Sequence, residues 1–222
     1  SIIDNVIKSI NQKTQKQLAF NKIPFDDPKV MKLFEEGETT GIFQFESEGM
    51  KRFLKDLKPK NFIDLCNAIA LFRPGPASNI PSFIKRKEGK EKIEYIDESL
   101  EPILKETYGI IVYQEQIMLI AQNFAGYTLA EADLLRRAMS KKKYEILKNE
   151  ETRFIEKSIK NNKTKEKSKE LFDLILAFAG YGFNKSHSVS YSIVAYKMAY
   201  LKYYFPKEFY ANLLSSVIGS EE

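Results

Sequence analysis

The chain has 222 residues, 43% hydrophobic and 29% charged, with one cysteine, one histidine and a formal charge of +5. That length and apolar fraction suit one domain or two closely packed ones around a real core, and exclude a disordered chain. A lone Cys66 excludes a disulfide framework and a cysteine-based zinc site, and a lone His187 excludes histidine-rich metal chemistry.

In chain order, Ile2, Ile3, Val6, Ile7 and Ile10 recur at helical spacing and predict an opening helix, followed by a polar stretch that ends at Pro24. Asp27-Pro28 starts a second helix with proline in its first turn, and Gly37 stops it. Thr40 to Phe45 is β-branched and aromatic and reads as a short strand or extended link. Ser47 to Leu57 is helical, burying Met50, Phe53, Leu54 and Leu57. Asn61 caps a helix over 62–72 that Arg73-Pro74-Gly75-Pro76 breaks as a rigid turn. A helix from Pro81 runs into the basic Lys85-Arg86-Lys87, Tyr108 to Tyr113 is a second brief β-prone segment, and Glu115 to Phe124 is helical. Thr128-Leu-Ala-Glu131 has the form of a capping box and predicts a helix that carries Arg136 and Arg137 about two turns in. Lys143 to Asn162 and Lys165 to Ala179 are amphipathic helices, and Gly180-Tyr-Gly182 ends the second. A tyrosine-rich helix over Tyr191 to Phe205 and a last one from Pro206 to about Ile218 complete a mainly α chain with one or two very short β segments. No apolar run approaches the ~18–20 residues of a membrane span, and the N-terminus lacks the basic and apolar regions of a signal peptide. A cytoplasmic protein without membrane contact is expected, and a start at Ser1 suggests a piece of a longer one.

The charge is uneven. From Lys141 to Glu170 there are eleven basic and six acidic residues, a surplus equal to that of the whole chain. Arg136, Arg137, Lys141, Lys142 and Lys143 put five cations in eight positions. They read either as a solvated helix end, favoured by the helix dipole, or as a polyphosphate or nucleic-acid contact. Arg136 and Arg137 lie about 100° apart and face away from Leu135, Ala138 and Met139, so two guanidinium groups could straddle a triphosphate. Asp133 pairing with Arg137 at i,i+4 is the alternative, and would leave Arg136 unexplained. In Phe183-Asn184-Lys185-Ser186-His187-Ser188, backbone amides of a helix starting near Ser186 or Ser188 would converge with Lys185 on an anion, and His187 could protonate a leaving group or simply cap and pack. Arg73, on its stiff turn, is either a brace or a substrate contact. No P-loop, Gly-x-Gly-x-x-Gly, nucleophile elbow or spaced histidine pair is present.

Five motifs stand in a fixed order: Thr39-Thr-Gly-Ile-Phe-Gln-Phe-Glu46, Ala70-Leu-Phe-Arg-Pro-Gly-Pro76, Tyr108-Gly-Ile-Ile-Val-Tyr-Gln-Glu-Gln116, Ala132-Asp-Leu-Leu-Arg-Arg-Ala-Met139 and Ala179-Gly-Tyr-Gly-Phe-Asn-Lys-Ser-His-Ser188. In this the chain resembles the bacterial C-family replicative DNA polymerases, the family of the DNA polymerase III alpha subunit, and the motifs belong to its fingers domain. The resemblance implies a helical lead-in from the palm over residues 1–38 and fingers over 39–222. It implies that Arg136 and Arg137 contact the triphosphate of an incoming dNTP, that Asn184, Lys185, Ser186 and His187 lie near the nucleotide pocket, that Arg73 lines it, and that Lys141, Lys142 and Lys143 approach primer-template DNA. Two Mg2+ ions would be held by palm carboxylates outside this chain, so the chain alone should not polymerise DNA. Partners would be the palm and thumb, and, through absent parts, the sliding clamp and clamp loader. A stand-alone helical nucleic-acid-binding module is the alternative from another class, and an interaction module built on the tyrosine-rich helix is a third.

Overall fold

The computed structural model describes residues 1–141, 144–178 and 180–218. Its helices in chain order are α1 (Ile2–Thr14), α2 (Pro28–Glu35), α3 (Glu48–Leu57), α4 (Phe62–Leu71), α5 (Ile80–Lys87), α6 (Glu101–Leu104), α7 (Gln114–Ala125), α8 (Leu129–Ser140), α9 (Tyr144–Lys160), α10 (Lys165–Phe178), α11 (Lys185–Tyr204) and α12 (Pro206–Val217), joined by short 3-10 turns. Among the described residues, β structure is confined to one parallel bridge between Tyr113 and Phe183. The chain falls into two compact units, Ser1–Ile69 with the segment from Val189 onward, and Ala70–Ser188; the boundaries lie within α4 and α11.

In the first unit α1 opens with the apolar stripe expected, burying Ile3, Val6 and Ile10, and is capped by Ser1. Asp27 caps α2 through the backbone amides of Lys29 and Val30. Phe34, Phe45 and Tyr196 form an aromatic centre, with Phe34–Phe45 centroids 5.1 Å apart edge to face and Phe34–Tyr196 centroids 6.4 Å apart. The tyrosine-rich α11 buries Tyr196, Ala195, Ala199 and Leu201 here, while Tyr203 and Tyr204 are exposed.

Thr40 to Phe45 is not a strand. Gly41 at φ 77° and Gln44 at φ 68° turn the chain twice, and the Thr39 hydroxyl donates to the Phe45 carbonyl at 2.6 Å. The apolar pattern that suggested a strand instead sinks Ile42 and Phe45 from a looped segment, in which each turn satisfies its own backbone.

The second unit is built on α7, α8, α9 and α10. Leu135 and Met139 from α8, Ile120 and Phe124 from α7, Phe154 from α9 and Phe172 and Ile175 from α10 share one core. The rings of Phe124, Phe154 and Phe172 follow one another at 6.0 and 5.5 Å. Tyr108 to Tyr113 pairs only through the single bridge; the left-handed Tyr108 and Gly109 at its head leave it too short for a ladder.

Candidate functional site

The predicted capping box starts α8: the Thr128 hydroxyl accepts from the Glu131 amide at 3.2 Å, and the Glu131 carboxylate accepts from the Thr128 amide at 2.7 Å. With Ala132, Leu135 and Met139 buried on the core side, Arg136 and Arg137 are turned away from it. Asp133 holds both. Arg136 Nε and Nη2 donate to one Asp133 oxygen at 2.9 and 2.7 Å, and Arg137 Nε reaches the other at 2.8 Å. The expectation that an Asp133–Arg137 pair would leave Arg136 unexplained is thereby corrected, because i,i+3 and i,i+4 neighbours converge on the same carboxylate. Hydrogen bonding by Arg136, reinforced by Arg137, keeps that carboxyl below its ordinary range. Arg137 remains 64% exposed, whereas Arg136 is 30% exposed and has Gln114 Oε1 at 3.5 Å from its Nη1.

Gln114 belongs to a run of three polar residues at the start of the otherwise apolar α7, each tied to a different place. The Gln114 amide donates to the Phe183 carbonyl at 2.9 Å and its side chain to the Gly182 carbonyl at 3.1 Å. A Cβ on Gly182 would sit 2.9 Å from Gln114 Cγ, so this close pairing needs glycine there. Both oxygens of Glu115 accept from the Lys185 backbone amide, at 2.9 and 3.1 Å. Gln116, buried, accepts through Oε1 from the amides of Val112 and Tyr113 at 2.8 and 2.9 Å, and donates to Thr107 Oγ1 at 2.8 Å.

Across the bridge, Asn184 Oδ1 accepts from the His187 amide at 3.0 Å and α11 begins at Lys185, six residues before the Tyr191 of the apolar pattern and one before the alternative start near Ser186. The cap and the Glu115 carboxylate extend the helix into a polar segment whose sequence carries no apolar periodicity. The amides expected to await an anion therefore already meet one from within the chain, at least at Lys185. The Lys185 ammonium pairs with Glu106 and lies 5.6 Å from the centre of the Tyr113 ring. Asn184, Ser186 and His187 are exposed, and the His187 ring packs beside Phe183 at 5.8 Å. Arg73 donates from Nη2 to the Tyr181 carbonyl at 2.6 Å and from Nε to the Ala70 carbonyl at 3.3 Å, with its guanidinium 4.4 Å from the centre of the Phe183 ring. Burial lowers its affinity for the proton. These contacts tie Arg73 to the Phe183 segment.

The second unit thus gathers Arg73, Asn184, Lys185 and His187 around Phe183 and links Arg136 to them through Gln114, while Arg137 stands further out on Asp133. Lys141 is exposed one turn beyond Arg137; Lys142 and Lys143 lie outside the described residues. Farther along, many cations of the basic segment are stitched to acids: Arg153 and Lys157 to Glu131 at 2.5 and 2.9 Å, Lys163 and Lys167 to Asp97 at 2.8 and 3.3 Å, and Lys169 to Glu151 at 3.0 Å. Residue type and motif alone do not mark Gln114, Glu115, Asp133 and Glu106 as site residues. The Gln-Glu-Gln run at a helix entry was the available signal for two of them; Glu106 has none. Among the described residues, no three His, Cys, Asp or Glu side chains cluster to hold a metal ion. No described helix is long and apolar enough to cross a membrane.

Residues 1–162 match the family model described as the bacterial DNA polymerase III alpha subunit finger domain. Over all 222 residues the chain is 50% identical to proteins named DNA polymerase III subunit alpha from Staphylococcus aureus strain COL and Staphylococcus epidermidis strain ATCC 12228, covering 21% of each. It therefore spans about a fifth of the length of these relatives.

Proposed function

Because the chain belongs to the finger-domain family of the bacterial DNA polymerase III alpha subunit, we propose that it binds the triphosphate of an incoming dNTP and positions it for template-directed DNA synthesis in chromosomal replication. The observation that carries this reading is the bridge between Tyr113 and Phe183, around which Arg73, Lys185, His187 and, through Gln114, Arg136 are assembled within one unit. Phosphoryl transfer depends on positioning and on electrostatic stabilisation of charged oxygens. Arg136 and Arg137 supply forked donors for phosphate oxygens, exchanging Asp133 for the ligand. Lys185 adds a point charge, and Asn184 and Ser186 neutral hydrogen-bonding groups at the head of α11. His187 donates a proton to the departing pyrophosphate. Arg73 acts by holding the Phe183 segment in place.

Bound Mg2+ would supply the neutralising charge for the reacting phosphate oxygens, from carboxylates elsewhere in the complete subunit. By itself this chain is inactive. Its partners are primer-template DNA, approached by Lys141 to Lys143, and the palm and thumb, with clamp and clamp loader engaged by other parts in the cytoplasm. The reading as a separate nucleic-acid-binding module is weakened because Arg153, Lys157, Lys163, Lys167 and Lys169 of the basic segment are already engaged by acids.

The test is Arg136→Ala with Arg137→Ala in the complete polymerase subunit. Loss of charge-assisted hydrogen bonds worth about 1.5–3 kcal/mol each should lower kcat/KM for nucleotide by at least tenfold. Unchanged KM together with unchanged turnover would sink the assignment. For His187, an undiminished single-turnover rate in His187→Gln would end the proton-donor role.

A further inference from the structure

Two acids meet Lys185 at different atoms. Glu115 takes the backbone amide with both oxygens, an arrangement that fixes where α11 starts. Glu106, on the 3-10 turn Lys105–Thr107, takes the side-chain ammonium. The Lys185 and Glu106 side chains are 35% and 32% exposed, so water reaches both partners and the contact can open without stranding a buried charge.

We propose that Glu106 is an internal competitor for the nucleotide's phosphates, holding the Lys185 ammonium until a triphosphate displaces it. This rests on the reading of Lys185 as a triphosphate ligand. A carboxylate carries one negative charge and a triphosphate several, so the ammonium leaves Glu106 when nucleotide arrives and returns when product departs. The price is affinity: nucleotide must out-compete a contact already made, and its apparent binding is reduced by the fraction of Lys185 that is unpaired. The ammonium would not wander without Glu106, because the Tyr113 ring lies 5.6 Å away and the first turn of α11 is pinned by Glu115 and Asn184. Removing the Glu106 charge therefore removes competition while leaving Lys185 in position. The structure separates this role from that of Glu115, whose loss would free the helix start itself.

The experiment measures KM and kcat for dNTP in primer extension by the complete subunit, with Glu106→Gln, Lys185→Ala and the double variant. Glu106→Gln should lower KM about two- to fivefold with kcat retained, the range of a partly exposed ion pair. Lys185→Ala should raise KM, and the double variant should match Lys185→Ala, since the competitor then has nothing to hold. If Lys185→Ala raises KM but Glu106→Gln leaves it unchanged or raises it, the competitor role is overturned and the Lys185 reading stands. An equal fall in KM when Glu106→Gln is placed in the Lys185→Ala background overturns it as well. An unchanged KM in Lys185→Ala overturns the Lys185 reading and the competitor role with it. Glu106→Met, which also removes the charge, is judged by the same outcomes should Glu106→Gln melt below the assay temperature.

Discussion

Gln116→Leu tests whether a single buried side chain holds the segment on which the site is assembled. Gln116 is 3% exposed, and its oxygen accepts from two backbone amides, of Val112 and Tyr113, that are themselves 2% and 0% exposed. Leucine preserves the approximate volume but strands both donors, at about 1–3 kcal/mol each. The Thr107 hydroxyl keeps its donation to the Ile110 carbonyl at 2.6 Å, so little is added there. Burying the leucine side chain returns about 1.5–3 kcal/mol, so two stranded donors at the middle of their range, about 4 kcal/mol together, leave a net loss of about 1–3 kcal/mol. For a chain of this length that corresponds to a fall of about 2–12 °C in melting temperature. Thermal unfolding followed by circular dichroism measures it, with Gln122→Leu on the same helix as the control for added apolar character. A Gln116→Leu melting temperature within 2 °C of the parent, or a fall no larger than that of Gln122→Leu, would refute the reasoning.

Two further perturbations probe the framework. Hydrogen bonding by Lys157, with help from the Thr128 amide, pulls the Glu131 carboxyl down to about 2 from its ordinary 4.5. A depressed carboxylate contributes stability above its unfolded value and loses it as pH falls toward the folded one, so the urea midpoint should drop between about pH 4.5 and pH 2, and drop less in Glu131→Gln; identical slopes for the two proteins would contradict this. Gly75 has φ 100°, and a Cβ there would lie 2.1 Å from Tyr181 Cδ1. Gly75→Ala should therefore displace the Tyr181 ring and destabilise by about 1–3 kcal/mol in urea titration, whereas an unmoved midpoint would show that the turn is not held against that ring.

Helices were legible wherever an apolar stripe and a cap coincided, because 3.6-residue periodicity and capping hydrogen bonds are local. The capping box at Thr128 and the proline start at Asp27-Pro28 appear as the residues predict. Thr40 to Phe45 misleads because alternation of apolar residues says nothing about two left-handed turns. The apolar pattern places the head of α11 only at Tyr191, whereas the alternative start near Ser186 comes within one residue of the observed Lys185, where the Glu115 carboxylate, 70 residues away, meets the helix. The same distance problem hides the partner of Lys185. Arg136, Arg137 and Lys185 can be named from residue type and motif, but that Asp133 already holds the first two follows from helix geometry, and that Glu106 holds the third follows only from packing across 79 residues.

The sequence by itself determined a mainly helical chain, the family it belongs to and the cationic residues worth testing, since all of these reside in local pattern and motif order. Only the tertiary structure decided that Lys185 faces Glu106 and that Arg136 lies beside Gln114 before any ligand arrives. The cations of the site are not an open positive surface: Arg136 and Arg137 share the Asp133 carboxylate, and Lys185 meets Glu106. The Asp133 pairs are set within one turn of a helix, whereas the Lys185–Glu106 contact joins segments 79 residues apart and exists only once the core of the second unit has closed.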